Sequence, residues 1–278
     1  MQIREYSLPA GWFPRDSDSI AAFLSEFADS DEALQDSSRA AIAPHAGWYY
    51  CGRIAARAVS SLRQDADTVA VLGGHLPAGS TPLFAMEDAV RTPFGHILID
   101  NDFRSILFDE LKGAEDRYRD NTVEVLLPML HYFFPKANLV WLRLPAESRS
   151  FEAGRSISAA AAKLNRKVNV LASTDLTHYG QNYGFSPQGT GKDALRWMRE
   201  VNDAKFIKAV ESGDKSEVLR CAGQDSSACS AGAVLGAMGF AGTEGLGSAR
   251  LLEYGTSADA DSGKGVPDSF VGYAAMRF

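Results

Sequence analysis

The sequence predicts an α/β fold, with a central mostly parallel or mixed sheet flanked by helices. Three observations lead to it. Short apolar runs alternate with longer helical stretches along the chain. Those runs are near-continuous, as in strands buried on both faces, rather than alternating apolar and polar. Helical segments stand between successive runs, which suits parallel pairing and two covered faces.

In chain order, Arg39–Ala43 (RAAIA) reads as a buried strand, followed by a turn at Pro44–Gly47 and a helix near Gly52–Leu62. Thr68–Gly73 is a second strand, ending in Gly73-Gly74. The stretch Pro82–Asp100 holds Pro82, Pro93 and Gly95, which predicts short extra strands rather than helix. Val123–Phe134 reads as a helix. Leu139–Leu144 and Val168–Ser173 are two more strands, separated by the Ala-rich helix Phe151–Asn165. Trp197–Val210 and Ala231–Phe240 read as helices, and Arg250–Tyr254 and Phe270–Met276 as closing strands. Asn182–Gly191 and Gly255–Asp268 are rich in turn-forming residues and read as loops, too short for interdomain linkers. No repeat occurs at solenoid periods. Residues 1–278 are therefore expected to form one domain.

At 278 residues with 45% hydrophobic content, the chain can bury a core without staples. Its 28 basic and 35 acidic residues give a net charge of −7, which argues against a nucleic-acid footprint. Three cysteines, Cys51, Cys221 and Cys229, cannot all pair with one another and suit a reducing compartment. The N-terminus lacks the basic-then-apolar pattern of a signal peptide. No apolar run approaches the roughly 20 residues that cross a bilayer. A soluble, cytoplasmic protein with neither nucleic-acid nor membrane partners is expected.

Three of the five histidines closely follow predicted strands: His45, His75 and His178. In an open parallel sheet, ligands bind beyond the carboxyl ends of the strands, so parallel strands would bring these imidazoles to one edge. A single histidine after a strand is usually an ordinary loop residue; three of five are harder to explain that way. Asp175 precedes His178 by three residues and would reach it across a helical turn, orienting the ring or sharing a proton. The alternative is that Asp175 caps a turn and His178 is a satisfied buried polar group. Cys229 stands just before an apolar helical run, where exposed N–H groups favour thiolate, the form that binds metal. Its alternative role is a small core residue, which is also the reading for Cys51 and Cys221. There is no CxxC, HExxH, Walker or GxSxG signature.

The segment Ala43-Pro44-His45-Ala46-Gly47-Trp48-Tyr49-Tyr50-Cys51-Gly52 resembles the APHAGYxYSG segment of the Memo family, also called AmmeMemoRadiSam system protein B. Ala10–Pro14 is similar to the family's AGxFYP opening, one residue shorter. Val71–His75, Arg91–Gly95 and Ser173–Gly180 (similar to SSDxSHYG) continue the match in order, and Cys229 falls at the family's cysteine. The resemblance implies a fold like that of class III extradiol dioxygenases, which hold Fe(II) with two histidines and a carboxylate. It implies His45 and His75 in the histidine places, Cys229 in place of the carboxylate, and His178 with Asp175 at the acid/base position. Three blocks depart from the family pattern. GPxHH is Gly73-Gly74-His75-Leu76 here, the histidine of EHSxEVQLP is Asn121 while Glu124 stays, and CGxGP ends in Ala233.

Several functions follow from such a site. Two imidazoles and an anion can hold Fe(II) with positions open for O₂ and substrate, while a thiolate favours copper(I) or zinc. One reading is thus a dioxygenase-like oxidoreductase acting on an unknown small molecule. Another is a binding module whose vestigial cleft takes a peptide, with Trp48, Tyr49 and Tyr50 as flat apolar surface or as core packing. A third is metal buffering, and a hydrolytic zinc site stays open. The family name also implies association with a radical SAM enzyme and an AMMECR-type protein.

Overall fold

In the computed structural model, which describes residues 1–28, 37–260 and 265–278, the four runs expected as buried strands lie side by side. In chain order the described strands are β1 (Ile3–Arg4), β2 (Ala40–Ala43), β3 (Thr68–Leu76), β4 (Leu83–Phe84), β5 (Ala89–Thr92) and β6 (Gly95–Leu98). They continue with β7 (Ala114–Glu115), β8 (Asn138–Pro145), β9 (Val168–Ser173), β10 (His178–Gly180), β11 (Arg250–Thr256) and β12 (Ser269–Arg277). Among the described residues one nine-stranded sheet runs β10-β12-β2-β9-β3-β8-β4-β7, with β11 paired to β12. Its centre, β2-β9-β3-β8, is parallel throughout. Antiparallel β12 and β4 flank that centre, so the sheet is mixed. The Pro82–Asp100 region gives β4, β5 and β6, and the last two join β1 in a small separate sheet.

Successive residues of the central strands face opposite sides. Ile42, Leu72, Leu142 and Val170 enter one core with the helices Ser150–Leu164 and Ala231–Glu244. Ala41, Val71, Trp141 and Leu171 enter another with the helices Ser17–Ala28, Trp48–Ser60 and Leu127–Phe133. Because both faces are covered, both alternating sets must be apolar, which explains the near-continuous runs. The Ala231–Glu244 helix is buried around its whole girth from Ala231 to Ala241, held between the sheet and the Ser150–Leu164 helix. Glycines allow that approach. A Cβ at Gly154 would lie 2.0 Å from the Gly236 carbonyl oxygen, and one at Gly239 would lie 1.9 Å from that of Phe151.

Several expected boundaries shift for physical reasons. The helix expected at Val123–Phe134 is two helices, Asn121–Glu124 and Leu127–Phe133, because Pro128 lacks an N–H and starts the second. The helix expected over Trp197–Val210 starts earlier, at Lys192, and contains a π-helical stretch at Met198–Asp203. The expected loop Asn182–Gly191 begins within a short 3-10 turn, Gln181–Tyr183. The expected loop Gly255–Asp268 is partly ordered. β11 continues to Thr256 and a short helix covers Ser257–Ala260, while residues 261–264 of that loop lie outside the described residues. No described helix is long and apolar enough to cross a membrane.

The glycine contacts give a paired prediction. Helix propensity alone would make Gly154→Ala stabilising by nearly 1 kcal/mol. The missing space should reverse the sign and cost about 2 kcal/mol or more. Gly242→Ala, in the partner helix with nothing within 4 Å of the new methyl, should stabilise instead. Urea unfolding of both variants checks the opposite signs.

Candidate metal centre

The strands β2, β9 and β3 are adjacent and parallel, and their carboxyl ends face one edge. His45 follows β2 by two residues, Asp175 follows β9 by two, and His75 is the penultimate residue of β3. Asp175 Oδ1 accepts the His45 backbone N–H at 2.7 Å, tying the ends of β2 and β9 together. Cys229 arrives from the loop before the Ala231–Glu244 helix, and its N–H donates to the Asp175 carbonyl at 3.3 Å. That loop passes over Gly74, where a Cβ would lie 2.3 Å from the Ser230 side chain. Ligand atoms of His45, His75 and Cys229 thereby all lie within 4.8 Å of one another. The two rings meet edge to face at 5.0 Å, and Cys229 Sγ lies 3.2 Å from His45 Nε2.

Each imidazole is held through its other nitrogen. His45 Nδ1 pairs with the Ser173 hydroxyl at 2.8 Å, and His75 Nδ1 pairs with Asp120 Oδ2 at 2.9 Å. Asp175 Oδ2 lies 3.9 Å from His45 Nε2 and 3.7 Å from His178 Nε2. The Asp175–His178 contact is therefore present, but the expected helical turn is not. Residues 174–177 are irregular and His178 opens β10, paired with Val271. The His178 ring also lies 4.9 Å from that of Tyr183.

Burial works against every charge here, and opposite charges decide the outcome. Burial raises the Cys229 thiol, yet His45 and His75 hold it well below its ordinary range. Burial lowers His45, which Cys229 and Asp175 more than offset. Burial lowers His75, and Asp120 and Cys229 bring it up to about 10. His178 is likewise raised against burial by Asp175 and Cys229, while Asp175 stays below the usual carboxylate range beside His45 and His178. These shifts all run toward the charged forms, a thiolate beside protonated rings. Burial pushes Cys51 well up and Cys221 up to about 11, in keeping with their expected core roles.

A cavity of about 450 Å³ opens onto His45, His75, Asp175 and His178, with Trp12, Tyr50, Tyr183 and Tyr273 among its walls. A second, of about 310 Å³, reaches Cys229 from beyond His178 and Tyr183. The expected aromatic cluster divides. Trp48 is core, packed against Phe13 and Phe23 with its indole N–H on the Val125 carbonyl, whereas Tyr50 faces the cavity and Tyr49 is exposed.

The sequence model described as "Memo-like protein" matches residues 4–277. The chain belongs to the Memo-like protein family. It is 29% identical over 295 aligned residues to a MEMO1 family protein of Pyrococcus horikoshii, covering 99% of each chain. It is 27% identical over 298 aligned residues to one of Pyrobaculum arsenaticum, covering 100% of this chain and 99% of that one. Among solved structures, an uncharacterized protein of Escherichia coli K12 aligns with a TM-score of 0.46 and 11% identity, over 86% of this chain and 98% of that one. Within this Memo-like chain the departures have clear positions. The Asn121 amide donates to the His45 carbonyl at 2.8 Å and lines the cavity. Glu124 accepts the N–H groups of Ser7 and Leu8, fastening the N-terminal segment. Leu76 pairs with Pro145 at the end of β3.

Sequence reasoning missed three residues of the centre's surroundings: Asp120 and Ser173 as partners of the rings, and Arg143 as the partner of Asp120. Asp120 carried one signal, its place as N-cap before Asn121–Glu124. A fourth omission is Asp203, at the end of the π stretch, which accepts from the Thr177 N–H at 3.1 Å and the Tyr254 hydroxyl at 2.7 Å. It thus braces the residue before His178.

Two predictions follow from these charges. Iodoacetamide at mildly acidic pH should label Cys229 and spare Cys51 and Cys221, read by peptide mass mapping; equal labelling of all three in folded protein would contradict the thiolate assignment. Burial raises Asp203 from 3.8 to about 6, so its stabilising contribution is present below 3.8 and is lost as pH rises through about 6. Asp203→Asn should flatten that loss, removing about 3 kcal/mol of pH dependence from urea-unfolding stability across the interval.

Proposed function

We propose that His45, His75 and Cys229 hold a metal ion, and that the surrounding cleft carries a metal-dependent redox reaction of oxygenase-like kind on a small molecule. The supporting observation is the convergence of two imidazoles and one thiol, their ligand atoms within 4.8 Å of one another at the carboxyl edge of the sheet. The donor set fits such an ion. Both rings are oriented through their outer nitrogens, and the sulfur is in a setting that favours thiolate. Two nitrogens and one thiolate suit iron or copper, and also zinc. Bound iron or copper would supply electron-transfer and O₂ chemistry. Metal uptake must displace protons from the rings, so affinity should fall as pH falls.

The remaining residues have separate tasks in this reading. His178 borders both cavities, and its Nε2 would hold or move a proton at a substrate hydroxyl, with Asp175 keeping the ring charged and placed. The aromatic walls favour a flat substrate, and the Asn121 and Asn182 amides would read its polar groups. In line with the family resemblance, the chain would act as one domain in the cytoplasm, alongside a radical SAM enzyme and an AMMECR-type protein. A second reading draws support from Tyr50 and Tyr183, which are 46% and 47% exposed at the cleft. Such half-exposed rings would equally grip a peptide bound without turnover.

Elemental analysis of protein purified without tags or chelators tests the metal reading. The expected result is near-stoichiometric iron or copper, lost in His45→Ala and in Cys229→Ala while thermal melts confirm folding. Absence of metal as isolated, with no uptake of Fe(II), Cu(I) or Zn(II), would overturn it and favour the peptide-binding reading.

A further inference from the structure

His75 is constrained at both its backbone and its ring. Its φ of 57° places a non-glycine residue in the left-handed region, where local strain persists only if surrounding contacts enforce it. The pairing of β3 with β8 is irregular between Gly73 and Leu76, and Arg143 Nε donates to the Gly74 carbonyl at 3.0 Å within that irregularity. The same guanidinium reaches Asp120 Oδ2 at 3.1 Å through Nη2 and Asp116 Oδ1 at 3.2 Å through Nη1. Arg143, Asp116 and Asp120 all have side chains no more than 8% exposed. Asp120 Oδ1 accepts the Thr122 N–H at 2.9 Å and the Thr122 hydroxyl, and Asp116 Oδ2 accepts the Trp141 indole N–H at 3.0 Å. Every oxygen in this chain of contacts is occupied, and none can rotate without breaking another bond.

We infer that Asp120, fixed by Arg143 and Thr122, is a positioning residue that holds His75 through Nδ1 and leaves Nε2 as the nitrogen turned to the His45–Cys229 cluster. This inference rests on the proposed metal site and deepens it. Geometry separates it from the plainer role of a counterion. Two buried carboxylates, Asp116 and Asp120, flank one guanidinium, and the Asp120 oxygen that meets Arg143 is the same Oδ2 that meets His75 Nδ1. Helix capping by itself would be served by an uncharged side chain. His45 has no such partner on Nδ1, where it meets the Ser173 hydroxyl. The two imidazoles are therefore unequal ligands, and the one backed by carboxylate is the more basic.

The test is Asp120→Asn, an isosteric change that removes the charge. Zn(II) and Co(II) affinities, measured by competition against a chelator, should fall by about 10–100-fold. The Co(II) absorption spectrum should shift, which a general loss of stability would not produce. In metal-free wild-type protein, ¹⁵N spectra should show His75 protonated at Nδ1 and slow to exchange, a signal lost in the variant. Asp120→Glu, keeping the charge on a longer arm, should recover part of the affinity. Wild-type affinity and an unchanged His75 signal in folded Asp120→Asn would overturn the inference. So would a wild-type His75 bare at Nδ1, even if the variant fails to fold. If wild-type protein takes up neither ion, the metal reading fails by itself, and the His75 spectra still decide the positioning role.

Discussion

The candidate centre depends on three parallel strands ending together. Register fixes this: Ala43 stands beside Ser173 between β2 and β9, and Leu72 beside Ala172 between β3 and β9. The ladder is extended one step further by the Thr174 N–H on the Ala43 carbonyl at 2.9 Å, so the chain is still ordered where the polar residues begin. His45 and Asp175 are then level, and His75 is one strand away. Parallel pairing in turn requires long crossovers, and the covering helices bury both faces of the sheet. The site is thus a by-product of burying apolar strands from both sides, with its polar residues gathered where the strands end.

Such an edge can hold charge only if it is internally balanced. Asp175, Asp120 and the Cys229 thiolate face His45, His75, His178 and Arg143. Removing one member would leave a buried charge without its partner, which costs more than the pair itself is worth. The cluster is therefore a unit. An ion entering among His45, His75 and Cys229 would replace ring protons by another positive charge and keep the balance, so the protein need not rearrange to accept it.

The central strands and the three edge residues His45, His75 and Asp175 were legible because they rest on chain-local signals: apolar runs with a polar residue just past the end. Chain-local signals made Cys229 legible as a thiol near a helix start, and the family resemblance implied its place beside His45 and His75; nothing local tells that its loop folds over Gly74. The Asp175–His178 contact was anticipated, but for the wrong geometry, because spacing of three suggests a helix as readily as a turn into β10. Asp120 and Arg143 could not be found together. They are separated along the chain, and only the pairing of β3 with β8 brings Arg143 beneath His75. The helices Ser17–Ala28, Asn101–Glu110 and Lys215–Gln224 were passed over although each begins near an acidic cap, at Asp16, Asp100 and Asp214. Their apolar residues are spaced three or four apart, as at Ile20, Leu24 and Phe27, and stand out less than a contiguous run, so the cap is the stronger signal.

The departures from the family pattern sort by the same physics. Glu124 is retained, and its two carboxylate oxygens accept the part-buried N–H groups of Ser7 and Leu8, which fastens the N-terminal segment. Asn121 replaces a histidine at a position that lines the cavity, and its amide donates to the His45 carbonyl. That bond holds the backbone of a proposed ligand without adding a further imidazole to the cleft. The cavity wall thus carries a neutral amide at this position, beside the edge that holds His45 and His75.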